Sequence, residues 1–179
     1  MSASNGIRIL GIDPGLATVG FGMMTVCPEQ AFNKGDTPRW GIISTQKHKS
    51  DSQRLQEIYE DLSALLNELR PDCVSLEKLF FFKNAKTMVP VSQARGVILL
   101  AIHNYGAPVF EYTPMQVKQA ITGYGKSPKP EIQEMLIHIL GLPYKPTPDD
   151  AADALAMAYC HYQFEGRLNR REYTVTGAR

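Results

Sequence analysis

Four acidic residues of this chain occupy positions where a carboxylate suits chemistry better than packing. Asp13 ends the mainly apolar run 7–12, and Glu77 ends a second apolar run. Asp150 and Asp153 lie three residues apart at the start of an alanine-rich stretch, a spacing that puts both on one face of a helix. Converging carboxylates repel one another unless a divalent cation binds between them, and oxygen ligands suit Mg²⁺ or Mn²⁺. The four residues therefore predict one metal site.

The chemistry that such a site serves best is phosphodiester hydrolysis. Two cations about 3.5 to 4 Å apart can stabilise the attacking and leaving oxygens of an in-line displacement by water. The carboxylates would position the metal, and the metal would activate the nucleophile. One of the aspartates could instead orient the attacking water, and the sequence leaves that division of roles open.

Some of these acidic residues also allow purely structural interpretations. Asp13 with the following Pro-Gly could form an ordinary turn, although a second acid at another strand end argues against this. Asp149 and Asp150 could cap a helix and oppose its dipole, and for Asp149 we expect no more than that. Asp153 lies one turn further along and is flanked by alanines, which indicates close packing. A partly buried, unpaired carboxylate there would be costly without a metal.

The elements that position these residues alternate between strands and helices. Apolar runs bounded by turn residues predict five strands, at 7–13, 19–26, 39–45, 73–77 and 108–112. Capping residues, Pro and Gly predict helices from Ser50 to Arg70, at 90–103, from Thr113 to Gly123, at 130–140 and from Thr147 to about Tyr162. The core order βββαβαβα predicts an α/β fold, a mixed five-stranded sheet with helices on both faces.

Length and composition indicate one ordinary globular domain. The chain has 179 residues, 44% of them hydrophobic and 21% charged, with a net charge of +1. We expect a single domain over residues 1–166, followed by a basic, flexible tail at 167–179. Because no apolar run has membrane-spanning length and the first residues do not resemble a signal peptide, we expect a cytoplasmic protein. Its three cysteines lack the spacing of a zinc site or a disulfide framework.

Charge is distributed unevenly along the sequence. Residues 51–77 carry seven acids and two bases, whereas residues 83–129 carry six bases and one acid. The basic segment allows a surface that faces a polyanion such as nucleic acid. Solvated lysines on helix exteriors are the plain alternative for the same pattern.

Five short motifs carry a resemblance to a known family. In chain order they are Gly11-Ile12-Asp13-Pro14-Gly15, Leu76-Glu77-Lys78-Leu79-Phe80, Gln93-Ala94-Arg95-Gly96, Gln116-Val117-Lys118-Gln119 and the run 150–156. Together they resemble the RuvC family of bacterial Holliday-junction resolvases. The resemblance implies a ribonuclease-H-like fold and an Mg²⁺-dependent endonuclease with one or two ions per subunit, for which Mn²⁺ could substitute. It further implies a homodimer that nicks two opposed strands of a four-way DNA junction in recombination and repair, in complex with the branch-migration proteins RuvA and RuvB.

The resemblance also implies roles for individual residues. Asp13 would bridge the metals, with Glu77, Asp150 and Asp153 completing their ligand shells. Lys118 and Lys129 would approach the scissile phosphate; a solvated surface position is the alternative for Lys118, and we expect Lys129 in a loop before the helix that starts at Pro130. The remaining implied DNA contacts are a stacking Phe80 and the phosphate-binding Lys83 and Asn84.

Two other functions are compatible with parts of the pattern. Sugar-kinase or actin-like ATPases also begin with a strand that ends in Asp-x-Gly, but they require a second phosphate-binding domain and commonly about twice this length. A non-catalytic junction-binding module would keep the basic surface and lose carboxylates, whereas all four acids are present here.

Overall fold

The computed structural model describes residues 6–26, 37–78 and 85–165. Within them the chain forms one mixed sheet of five strands and five helices. The strands are β1 Ile7–Asp13, β2 Thr18–Val26, β3 Arg39–Ser44, β4 Cys73–Glu77 and β5 Val109–Tyr112. The helices are α1 Asp51–Leu69, α2 Ala85–Tyr105, α3 Pro114–Thr122, α4 Lys129–Leu140 and α5 Asp149–Glu165. The predicted α/β class and strand count are confirmed.

The strand order determines which chain ends meet. The sheet runs β3-β2-β1-β4-β5. β1 pairs antiparallel with β2, and β2 with β3, while the β1–β4 and β4–β5 pairs are parallel. The carboxyl ends of β1, β4 and β5 therefore lie at the same edge, as the βββαβαβα order requires. The order βββαβαβα counts one helix after β5, whereas the structure has three there, namely α3, α4 and α5. The sequence had predicted all three.

Both faces of the sheet are covered by helices, so the central strands are buried on both sides. Along β1, Ile9 packs into the cluster formed with α3, α4 and α5. Its neighbours Leu10 and Ile12 point the other way, into the cluster formed with α1 and α2. Full burial of one such side chain contributes about 1.5 to 3 kcal/mol. The end of β1, where Asp13 lies, is thus held in place from both faces.

Glycines of β1 and β2 allow α5 to lie almost directly on the sheet. A Cβ at Gly11 would stand 1.9 Å from the carbonyl oxygen of Ala154, and a Cβ at Gly20 would stand 2.0 Å from that of Asp150. On the helix side, Ala151, Ala154 and Ala158 are completely buried. Because side chains are absent or small on both surfaces, the first turn of α5 is brought close to the sheet.

The predicted caps of α1 and α3, and the predicted ends of α1, α3 and α4, are present. The side-chain oxygens of Ser50 and Thr113 each accept a hydrogen bond from the backbone N–H three residues on, at 3.4 and 3.1 Å. The glutamine at that position accepts in turn, through Oε1, from the backbone N–H of the capping residue. Arg70, Gly123 and Gly141 end their helices in the left-handed conformation. Local sequence therefore fixes both ends of α1 and α3 and the end of α4.

Two helix starts differ from the prediction. α2 begins at Ala85 rather than Pro90, so Pro90 lies inside the helix, where it removes one backbone hydrogen bond without ending it. α4 begins at Lys129, so this lysine is helical and not in the preceding loop. None of the helices in the described ranges is long and apolar enough to cross a membrane.

The two described cysteines are core residues. Cys73 in β4 and Cys160 in α5 are free and fully buried. Burial raises the pKa of each thiol to about 12, so both are neutral packing groups.

Candidate active site

Asp13 and Glu77 end neighbouring parallel strands on the same face of the sheet. Side chains alternate along a strand, so Asp13 points to the same side as Gly11, which faces α5. In β4, Ser75 also faces this helix, because its hydroxyl donates to the Met157 carbonyl at 2.8 Å. The register pairs Gly11 with Ser75, and the two acids follow two residues later in each strand. The sheet thus places both carboxylates under the start of α5.

Asp150 and Asp153 lie in the first turns of α5. The Asp150 backbone rests on Gly20 of β2, which is paired with Asp13 of β1. Asp153 is about half buried, with 41% of its side chain exposed. The two residues approach the ends of β1 and β4 from above the sheet, as their helical spacing predicted.

The electrostatics of Asp13 show that the four carboxylates form one cluster. Its pKa is raised to about 7, first by burial and then by the charges of Asp153, Glu77 and Asp150, with Lys129 acting in the opposite direction. The pKa of Glu77 is also raised, by burial and then by Asp153. Repulsion between like charges disfavours ionisation of a group held among them. The four predicted residues are therefore electrostatically coupled, and their membership of one metal site stays a prediction.

The donor set fits a hard divalent cation, although the side chains are not arranged as ligands. Among residues 6–26, 37–78 and 85–165, no three His, Cys, Asp or Glu side chains are grouped closely enough to hold a metal ion. Charge coupling extends over several ångströms, whereas metal ligands must lie about 2.0 to 2.6 Å from one point. Four carboxylates, two of them with raised pKa values, provide the negative charge and the oxygen atoms for such an ion once their side chains turn inward.

Lys129 provides a positive charge at the edge of the cluster. Its Nζ donates to Asp153 Oδ2 at 2.8 Å and lies 3.4 Å from Asp149 Oδ2. Burial lowers the pKa of Lys129, but the hydrogen bonds and charges of Asp153 and Asp149 outweigh this and raise it. The lysine that the sequence associated with the scissile phosphate is therefore cationic and adjacent to the carboxylates.

Asp149 does more than cap α5. It is the first residue of the helix, where its charge suits the helix dipole. Its side chain, however, reaches across to α4, because Oδ1 accepts a hydrogen bond from Gln133 Nε2 at 3.0 Å. Hydrogen bonds from Gln133 and Lys129 lower the pKa of Asp149. The prediction of a simple cap was wrong for this side chain.

The remaining predicted DNA contacts are only partly described. Lys118 lies on α3, which starts directly after Tyr112, the partner of Glu77 in the sheet. Lys118 is partly buried and, within the described residues, makes no ion pair. Phe80, Lys83 and Asn84 lie outside the described residues, so their roles stay predictions.

Sequence reasoning missed the residues that set the distance between α5 and the sheet. Gly11, Gly20 and Gly22 face the helix, and each would clash with it if it carried a Cβ. The signal was available, since glycines at alternating strand positions opposite an alanine-rich helix indicate close backbone approach. Gln133 gave no signal, because a single glutamine in a helix is usually a surface residue.

His161 anchors the other end of α5. The structure places His161 in the core, with Nδ1 2.8 Å from the Tyr112 hydroxyl. Burial lowers the pKa of His161 to about 4, so the ring is neutral. Its role is to attach α5 to β5.

A mixed sheet of this strand order, with carboxylates at the ends of β1 and β4 and on a helix packed across them, defines the ribonuclease-H-like class of nucleases. Within that class the chain can be placed further. The family model described as "Crossover junction endodeoxyribonuclease RuvC" matches residues 9–161. The chain therefore belongs to the RuvC family.

Individual relatives agree with this placement. The chain is 48% identical over 166 residues to the crossover junction endodeoxyribonuclease RuvC of Brevibacillus brevis, covering 93% of this chain and 98% of the relative. The solved structure of Thermus thermophilus RuvC superposes with a TM-score of 0.76 at 33% identity, covering 88% of this chain and 95% of that one. A second T. thermophilus RuvC structure, in complex with a Holliday junction substrate, gives a TM-score of 0.73 at 29% identity, with coverages of 88% and 94%.

Proposed function

We propose that this protein is a structure-selective endodeoxyribonuclease that resolves four-way DNA junctions in recombination and repair. The observation that carries the proposal is the coupling of Asp13 to Glu77, Asp150 and Asp153 at the carboxyl edge of the sheet. The family assignment supplies the substrate, because the relatives are crossover junction endodeoxyribonucleases. A T. thermophilus relative has been solved with a Holliday junction substrate.

The activity would depend on Mg²⁺, with Mn²⁺ as a substitute and one or two ions per subunit. Asp13, Glu77, Asp150 and Asp153 would hold the metal, since hard cations prefer carboxylate oxygens. A bound divalent ion would supply Lewis-acid stabilisation of the phosphate oxygens and an activated water. Support comes from the raised pKa of Asp13, because a cation would relieve the repulsion that causes it.

Residues of this chain would position the phosphate and balance its charge. Lys129 already presents an ammonium group at the carboxylates, 2.8 Å from Asp153. A fixed cation beside the scissile phosphate would stabilise negative charge as it develops in the transition state. Lys118, on the helix that starts beside the end of β4, would contact the same strand of DNA from the α3 side.

The loop after β4 would contact the junction itself. Phe80 follows the predicted metal ligand Glu77 by three residues in the sequence, and an aromatic ring there would stack on an unpaired base. Such a contact contributes about 1 to 3 kcal/mol per base and does not depend on sequence. Lys83 and Asn84 would bind backbone phosphates and so set the orientation of the junction.

Symmetric cleavage of two strands requires two active sites, and we assign the homodimer contact to the outer face of α2. Val89 and Leu100 are 61% and 52% exposed. Their spacing puts them on the same side of the helix. Gly96 lies between them, and a Cβ there would have no neighbour within 4 Å. We take this exposed face, which carries two large apolar side chains among polar ones, as the surface that associates with a second copy of the chain. We also propose that the dimer acts in the cytoplasm with RuvA and RuvB, which rests on family membership alone.

Cleavage of a mobile four-way junction and of a matched linear duplex tests the proposal. With Mg²⁺, the wild type should cut the junction at two symmetric positions and leave the duplex intact, and EDTA should abolish cutting. Asp13→Asn should bind the junction and fail to cleave it. Asp61→Asn, which removes an exposed acid on α1, is the matched control and should cleave normally. Equal cutting of both substrates, or full activity in Asp13→Asn, would contradict the assignment.

A further inference from the structure

Lys129 is shared between two carboxylates of α5, only one of which is a predicted metal ligand. Its Nζ lies 2.8 Å from Asp153 Oδ2 and 3.4 Å from Asp149 Oδ2. Asp149 and Asp153 are four residues apart and so lie on the same side of the helix. The lysine is at the start of α4, so it bridges the two helices.

Asp149 is itself held toward α4 by a second contact. Gln133, one turn beyond Lys129 on α4, has 6% of its surface exposed and donates Nε2 to Asp149 Oδ1 at 3.0 Å. One carboxylate oxygen thus accepts from the buried amide, and the other faces the lysine. A buried amide in a packed helix interface has a fixed orientation, so Asp149 has a defined position although it is exposed to solvent.

We propose that Asp149 is a positioning residue for Lys129. If Asp153 were the only partner of Lys129, the ammonium group would repel a metal bound to the same carboxylate. Asp149, fixed by Gln133, offers Lys129 a second partner just outside the cluster. The lysine can then leave Asp153 free for the metal and remain beside the site where it would meet the phosphate. This inference rests on the proposed function of Asp153 as a metal ligand.

The proposal predicts that loss of Asp149 leaves Lys129 on Asp153, where it competes with the metal. Mn²⁺ binding to the DNA-free protein, measured by calorimetry, should weaken about threefold in Asp149→Asn, the size of effect typical of an exposed ion pair. Single-turnover cleavage of a bound junction should slow by a similar factor, while the junction dissociation constant in EDTA should change little. Asp149→Glu keeps the carboxylate and should restore both quantities in part.

A double-mutant cycle separates this role from a general effect of charge. In a Lys129→Met background, Asp149→Asn should no longer weaken Mn²⁺ binding, because the competing ammonium is gone. Glu131→Gln removes an exposed acid from the first turn of α4 and should leave Mn²⁺ affinity unchanged. The proposal would be overturned if Asp149→Asn weakened Mn²⁺ binding equally in the wild-type and Lys129→Met backgrounds, or if Glu131→Gln weakened it as much as Asp149→Asn. Wild-type Mn²⁺ affinity in Asp149→Asn would also overturn it.

The same measurements distinguish a failure here from a failure of the proposed function. If the wild type binds Mn²⁺ and cleaves junctions while Asp149→Asn behaves normally, only the positioning role is wrong. If the wild type neither binds Mn²⁺ nor cleaves junctions, the metal site itself is wrong. Thermal denaturation of each variant shows whether the fold is retained, which we expect because Asp149 is exposed.

Discussion

Replacement of Gly20 by alanine should displace a predicted metal ligand and so slow cleavage, while the protein remains folded. Gly20 lies in β2 beneath the first turn of α5, and a Cβ there would stand 2.0 Å from the carbonyl oxygen of Asp150 and 2.4 Å from its carbonyl carbon. Ordinary contact begins at 3.4 Å, so the helix backbone would have to move by about 1.4 Å at this residue. The clash involves main-chain atoms and cannot be relieved by a side-chain rotation.

The displaced residue would be Asp150, which we propose as a metal ligand. Misplacement of a catalytic group by about 1 Å costs on the order of a hundredfold in rate. Single-turnover cleavage of a four-way junction by Gly20→Ala should therefore fall about a hundredfold at a temperature where the protein remains folded. Junction binding in EDTA should be retained, because no predicted DNA contact lies on β2.

Gly41→Ala is the matched control. Its Cβ would stand 2.8 Å from Cζ of Phe21, at the edge of a ring, so a side chain rather than backbone must move. Overpacking of this kind costs about 1 to 3 kcal/mol of stability, and we expect both variants to denature at lower temperatures than the wild type. Only Gly20→Ala should lose cleavage. A folded Gly20→Ala that cleaves at the wild-type rate would refute the reasoning, and so would an equal loss in Gly41→Ala.

Two further predictions concern charge and assembly. In the native protein Asp13 keeps its proton up to about pH 7, whereas in the unfolded chain it loses the proton near the ordinary aspartate pKa of 3.8. The free energy of unfolding should therefore fall as pH rises from about 4 to about 7. Denaturation of the wild type in EDTA should show this loss, and Asp13→Asn should show a smaller one, because the raised pKa of Glu77 still contributes. Equal losses in the two proteins would contradict the prediction. Leu100→Asp should convert the proposed dimer to monomers in analytical ultracentrifugation, whereas Met135→Asp on α4 should not. An intact Leu100→Asp dimer would exclude the α2 face.

Elements that are specified by neighbouring residues could be predicted from the sequence. The capping boxes at Ser50 and Thr113, and the glycines that end α3 and α4, act within one or two turns of the chain. β4 matches its predicted range, and the other strands differ by at most one residue at an end. Such signals involve short-range hydrogen bonds and backbone conformation, so they are readable without knowledge of the fold.

Features that depend on contacts between distant elements were harder to predict. The start of α2 was placed too late because Pro90 favours a first helical turn in the sequence but lies inside α2. The contact of Asp149 with Gln133 joins two helices that are separated in the sequence by the 141–148 connection. The positions of Asp13 and Glu77 at strand ends, and of Asp150 and Asp153 in the first turns of α5, could be predicted because strand ends and helical spacing follow simple rules. The acidic partners of Lys129 could not, because they depend on the relative position of α4 and α5.

The close approach of α5 explains why this site would need a cation. Glycines in β1 and β2 let the helix backbone rest on the strands, and this brings Asp150 and Asp153 to Asp13 and Glu77. The same packing buries Asp13, so burial and like charge together raise its pKa. A looser helix would lower the repulsion but would also separate the ligands. At the distance set by Gly20 the fold therefore concentrates negative charge, of which Lys129 compensates part, and the metal ion that we propose here would balance the rest.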